Sequence, residues 1–293
     1  MKKIALTSLL SVFAVSGAYA ANTIDGNPLY MPKAGHFYSE TALSSHSETT
    51  KDWTLGEEFG YGITDKLAVS VKAGFAEMAE DEALGGDDEM FDRYGWTDLG
   101  VKATFRALDK GALKVDAYGA YNAGAIAQGA GGLAVHSDLA DDTFWFDKDL
   151  TGYTWTAGVR GGYTTAQFTV AGHIAYEYLN AESFNWGDYG QHSWKFGVDG
   201  QFVINDMFNL VAGVEYTGVS NDKVATYTDV KSLADVENAG RWTGTFGVNY
   251  NIDATKYVGA YVNGAMKHWK DNGEKGWEAE DGFGFGVKFG IDF

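Results

Sequence analysis

Residues 282–293 read GFGFGVKFGIDF. Counting back from Phe293, every second residue is apolar: Ile291, Phe289, Val287, Phe285 and Phe283. Gly284, Gly286, Lys288, Gly290 and Asp292 fill the alternate places. Successive side chains of a strand point to opposite faces, so this stretch is a strand with one greasy side and one polar side. Chain ends of soluble domains are usually frayed and polar. A strand ending on Phe must be held to its last residue, and its apolar side needs a surrounding other than water.

The same alternation recurs in twelve segments, at 34–45, 52–63, 67–76, 95–106, 113–124, 151–163, 166–179, 192–204, 207–218, 241–252, 256–267 and 282–293. In QFTVAGHIAYEY (167–178), Phe168, Val170, Ile174, Tyr176 and Tyr178 share one face, while Gln167, Thr169, His173 and Glu177 share the other. SWKFGVDGQFVI (193–204) and RWTGTFGVNYNI (241–252) repeat it. The breaks carry a second signal. TDK at 64, ALDKGA at 107, TT at 164, ND at 205 and DAT at 253 are short. Between them fall 77–94, 125–150, 180–191, 219–240 and 268–281, all longer; only 46–51 is brief. An up-and-down sheet crossing a slab puts its odd connections at one end and its even ones at the other. Both prolines, Pro28 and Pro32, precede the first segment, as a closed sheet that uses every N–H requires.

Composition agrees. The 293 residues carry 22 Lys and Arg against 40 Asp and Glu, a net charge of −18 that argues against a nucleic-acid partner. There is no cysteine, so neither disulfides nor thiolate metal sites are available. Aromatic residues make up 15% and glycines number 39. MKKIALTSLLSVFAVSGAYA at 1–20 has two lysines, an apolar run too short to span a bilayer, and a small-residue Ala18-Tyr19-Ala20 ending. That is the layout of a cleaved secretory signal. The expected organisation is a signal peptide at 1–20, a short periplasmic N-terminal segment at 21–33 and an all-β, up-and-down antiparallel transmembrane barrel of twelve strands at 34–293.

The signal, the strand pattern and the terminal FGFGVKFGIDF resemble Gram-negative outer-membrane β-barrel, porin-like proteins. That resemblance implies an outer-membrane location among lipid and lipopolysaccharide. It also implies that the ending, with Phe289, Ile291 and Phe293, is the signal read by the barrel-assembly machinery. Twelve-stranded members include nucleoside channels, oligogalacturonate porins and envelope scaffolding proteins, and no motif here selects among them.

The face assignment can be weighed energetically. A lipid-facing Lys or Arg at the midplane costs about 2–4 kcal/mol. One register turns Lys72, Lys102, Arg106, Lys114, Arg160, Lys195, Arg241 and Lys288 inward, together with Glu40, Glu58, Asp98, Asp116, Glu177, Asp199, Glu215 and Asp292. Glu57 alone disobeys, which predicts a bulge or a register shift near Gly56. Strand 256–267 is ambiguous, because Tyr257 and Tyr261 compete with Val258, Ala260 and Val262 for the outer face. Interfacial girdles are expected at Tyr61, Tyr163, Tyr250 and Tyr257 by the short turns, and at Trp53, Trp96, Tyr178 and Trp194 towards the long loops.

Two functions from different classes fit. One is a passive channel for small hydrophilic solutes, lined by Lys72, Lys102, Arg160, Lys195, Arg241 and Lys288 facing Glu58, Asp116, Glu177, Asp199 and Glu215. Its mouth would be acidic and favour cations, from EMAEDEALGGDDEMFDR at 77–93 and HSDLADDTFWFDKD at 136–149. The other is a closed barrel doing structural, adhesive or scaffolding work through its outer loops. The acidic loops could hold divalent ions near lipopolysaccharide phosphates, but none has EF-hand spacing, so neither a metal site nor a cofactor is expected. No enzyme is expected either: His192 and Ser193 are strand neighbours and so point to opposite faces, and His173 reads as a lumen group beside Glu177. By analogy with larger porins, 125–150 is the loop expected to fold inward.

Overall fold

A computed structural model describes residues 26–47, 53–78, 93–123, 135–138, 143–146, 150–183, 187–223, 240–271, 274–279 and 282–293. The wall begins with β1 (Phe37–His46), β2 (Trp53–Thr64), β3 (Leu67–Met78), β4 (Arg93–Lys110) and β5 (Leu113–Ala123). A small hairpin, β6 (Val135–Asp138) and β7 (Thr143–Phe146), stands apart as its own sheet. The wall continues through β8 (Leu150–Thr164), β9 (Phe168–Ser183), β10 (Gly187–Val203), β11 (Phe208–Lys223), β12 (Gly240–Asn251) and β13 (Lys256–Asp271). β14 (Glu274–Ala279) folds back on the far end of β13, and β15 (Gly284–Asp292) completes the ring. Each wall strand is antiparallel to the next, and β15 pairs with both β13 and β1, so no edge is left open. Twelve strands close the cylinder, one for each alternating segment of the sequence.

The sidedness is sharp. Val287 is 55% exposed while Lys288 beside it is 5% exposed; Trp194 at 54% sits next to Lys195 at 6%. Phe105, Val159, Ile174, Val198 and Phe246 continue an exposed apolar belt around the outside. A surface of that extent is not tolerated in water and marks contact with hydrocarbon. Polar residues fill the interior. Phe293 is held at its backbone, donating to the Phe37 carbonyl at 2.8 Å and accepting from the Phe37 N–H at 3.2 Å.

Four details depart from the sequence reading. The short breaks at 64 and 107 are shorter still and those at 164, 205 and 253 slightly longer: β4 runs to Lys110, leaving Gly111 and Ala112 as the turn, and Gly111 takes a φ of 60° that favours glycine. A bulge between Arg106 and Leu108 keeps Arg106 inward through that extension. On the opposite end, 180–191 and 268–281 are largely strand, because pairing continues where the alternation of apolar residues stops. Glu57 causes neither bulge nor shift: β1–β2 and β2–β3 run unbroken past Gly56. Its carboxylate stays on the outer face and accepts hydrogen bonds from the Ser39 hydroxyl at 2.5 Å and from the Thr41 hydroxyl. Lastly, Tyr257 is not part of a girdle. It is fully buried inside, where the missing side chain of Gly290 leaves room for its ring, and Val258 and Val262 take the outer face. Tyr61, Tyr163, Tyr250, Trp53, Tyr178 and Trp194 lie on the outer side as expected. The side chains of Trp96 and Asp98 fall outside what is described, as do residues 1–25, the acidic run from 79 to 92, and most of 125–150.

Candidate functional site

Alternation along each strand delivers the charged side chains to one interior. Glu58, Lys72, Lys102, Arg160, His173, Glu177, Lys195, Asp199 and Glu215 line a common cavity of about 90 Å³, together with Pro28. Asp116, Arg241 and Lys288 also point inward but are buried in the wall packing and do not line it.

One cross-strand row organises much of the site. Arg106 on β4 pairs with Asp116 on β5, Asp116 with Arg160 on β8, Arg160 with His173 on β9, His173 with Gly197 on β10, and Gly197 with Glu215 on β11. Asp116 is wholly enclosed. It accepts from Arg106 Nε at 2.8 Å and Nη2 at 3.1 Å, and from Arg160 Nε at 2.9 Å. Such bidentate, charge-assisted bonds are among the stronger polar contacts a protein makes. One carboxylate between two guanidinium groups leaves a positive excess. The chain's own N-terminal segment meets it: Arg106 Nη2 donates to the Leu29 carbonyl at 2.6 Å and Arg160 Nη2 to the Tyr30 carbonyl at 2.9 Å.

Residues 26–32 therefore lie inside the barrel at its short-turn end. Leu29 is 2% exposed. The Tyr30 ring stands edge-on to Tyr38 of β1, with centroids 5.8 Å apart. Gly26, at a φ of 81°, packs against Val211 and Asn249 on the far wall, where a β-carbon would collide with both. The segment leaves along β2, with Gly35 N–H bonded to the Gly62 carbonyl at 2.8 Å.

Three further clusters stand above it. Lys195 Nζ reaches Glu177 at 2.9 Å, and the Thr156 hydroxyl donates to the same oxygen at 3.2 Å. Glu58 accepts from the Tyr38 hydroxyl at 2.6 Å and lies 3.5 Å from Lys102 Nζ. Beside it the Tyr257 hydroxyl donates to Glu40, and Lys288 Nζ sits 5.6 Å from the Tyr257 ring centre. The last cluster is His173, whose Nδ1 lies 3.0 Å from Asp199 Oδ2 and whose Nε2 lies 3.0 Å from Glu215 Oε2. The sequence reading placed His173 beside Glu177; the structure gives Glu177 to Lys195 instead. Gly197 and Gly213 make this possible, since a β-carbon on Gly197 would come within 2.8 Å of the imidazole and one on Gly213 would strike the Asp199 carboxylate.

The sequence reading missed the tyrosine partners Tyr38 and Tyr257 and the docking of Leu29 and Tyr30. Nothing local marks either tyrosine as inward, since an aromatic ring with a hydroxyl suits a girdle as well as a lumen. His192 and Ser193 do diverge: the imidazole meets the Tyr176 hydroxyl on the outer face, while Ser193 is buried inside.

No family model matches the chain, and no curated protein does. Among solved structures it is similar to the COG4313 outer membrane channel from Pseudomonas putida F1, with a TM-score of 0.52 at 11% identity over 90% of this chain and 97% of that one. The NanC porin aligns with a TM-score of 0.49 at 10% identity, over 87% and 98% of the two chains. The KdgM porin in complex with disordered oligogalacturonate aligns at 0.47 and 8%, over 87% and 99%. At such identities the likeness speaks to the fold. With its closed antiparallel ring, its apolar belt and its polar interior, the chain is a twelve-strand β-barrel of the outer-membrane type.

Proposed function

We propose that this barrel is a passive diffusion channel for small hydrophilic solutes, leaning towards cations at an acidic outer mouth. The observation that carries the reading is the charge-lined cavity enclosed by a wall that is greasy outside. Nine acidic and basic side chains line that space, the polar interior that a solute path through a barrel needs. The acidic runs at 77–93 and 136–149 belong to the long connections, which face the cell exterior in barrels of this type. Carboxylates there raise the local cation concentration over a Debye length of about 8 Å. Residues 26–32 narrow the periplasmic mouth, which limits passage to small solutes. On the outside, Phe289, Ile291 and Phe293 present the face that the barrel-assembly machinery would read. His192 and Ser193 on opposite faces speak against lipase chemistry.

A second reading, a closed barrel that works through its outer loops as a scaffold or adhesin, is favoured by the ion pairs and by the N-terminal segment across the lumen. Conductance in a planar bilayer separates the two. Stepwise, cation-selective currents support the channel; a folded barrel that stays silent eliminates it and leaves the second reading.

A further inference from the structure

We infer that His173, Asp199 and Glu215 together set the ion selectivity of the lumen, an assignment that rests on the channel reading above. The other carboxylates lining the cavity are matched by a Lys: Glu58 by Lys102 and Glu177 by Lys195. Asp199 and Glu215 instead share one imidazole, 3.0 Å from each. With both carboxylates ionised, both contacts are hydrogen bonds when both ring nitrogens carry hydrogen; the trio is then an imidazolium between two carboxylates, with one net negative charge.

The cluster is also within reach of passing ions. The Asp199 and Glu215 side chains are 24% and 20% exposed, against 0% for Asp116 and 10% for Glu177. The groups around it are already engaged. From β8, Arg160 is held by Asp116 and the Tyr30 carbonyl; from β9 and β10, Glu177 bonds Lys195, whose charge also reaches Glu215; from β11, the Thr217 hydroxyl donates to Glu215 at 3.4 Å. Lys72 lines the facing wall on β3. A permeating ion thus meets a station whose sign depends on three side chains from three consecutive wall strands.

Reversal potentials in a salt gradient test this. His173→Gln deletes the positive member and raises the cation-to-anion permeability ratio about tenfold, since a unit charge about 6 Å from an ion in water changes cation and anion each about threefold, in opposite senses. Asp199→Asn and Glu215→Gln each lower it by a similar factor. Heat-modified mobility in detergent verifies that each variant folds. If His173→Gln does not fold, the ratio for Asp199→Asn compared with the charge-conserving Asp199→Glu decides: a drop only in the amide supports the assignment, and equal ratios refute it. Ratios that stay put, or that move the same way in all three variants, overturn the assignment while a conducting wild type keeps the channel. A folded, silent wild type overturns the channel and the assignment together.

Discussion

Asp116 is wholly buried between two guanidinium groups, and Arg106 and Arg160 offset the cost of burying its charge. Removing one member of a buried ionic group leaves uncompensated charge, at a cost of about 3–5 kcal/mol. Asp116→Ala should therefore lower unfolding free energy in detergent or lipid by that amount, read from urea titrations. Glu57 is the opposite case. Among the described side chains it is the one Asp, Glu, Lys or Arg on the outer face between the girdles. Two hydroxyls satisfy it, yet it still faces hydrocarbon. Glu57→Leu should stabilise the barrel in bilayers by up to about 2 kcal/mol, less than the penalty for a basic residue there. Both residues show what a single strand can reveal. Period-two alternation placed Glu58, Lys195 and Lys288 inside without ambiguity, and it flagged Glu57 as an exception. It could not show that Ser39 and Thr41 on the neighbouring strand would answer that exception, because cross-strand pairing is invisible along one segment.

At the level of elements, the turns are where local chemistry decides. The Asp253 carboxylate accepts from the Thr255 N–H and hydroxyl, both at 2.8 Å, and from Lys256 Nζ at 3.1 Å. The Thr255 backbone and hydroxyl bonds, joined by Lys256, hold its pKa down to about 2. A depressed carboxylate stabilises the fold above its ordinary range and loses that contribution as pH falls through the depressed value. The stability gap between wild type and Asp253→Ala should thus be full at neutral pH and close between about pH 4 and pH 2. Strand positions were legible to within a few residues, since lipid and lumen impose opposite demands on adjacent side chains. Strand ends were not. Beyond the bilayer β9 and β10 still pair, out to Ser183 and Gly187, but nothing there forces an alternating sequence. Tyr257 was misjudged for a related reason: it stands one residue into its strand, where aromatic residues suit either side, and only Gly290 across the ladder shows where the ring can lie.

For the molecule as a whole, the architecture follows from one requirement, that every backbone group be paired within the bilayer. That made a closed, even-stranded ring legible from twelve alternating segments. The interior was legible only as a list of charges. Which carboxylate takes which cation depends on the stagger of the strands, as His173 shows by reaching over Gly197 to β11. The N-terminal segment left no periodic signal, because it packs by its carbonyls and by single side chains. Deleting residues 26–32 should raise single-channel conductance while leaving the folded mobility in detergent intact. An unchanged conductance would mean that the narrowest point lies elsewhere. The anchors of this segment carry a further consequence. Leu29 and Tyr30 are made early, but the arginines that grip them follow 77 and 130 residues later. Contacts so distant along the chain form slowly. A stretch synthesised before any wall strand is thus among the last to settle, and its docking reports that β4 and β8 have already found their places.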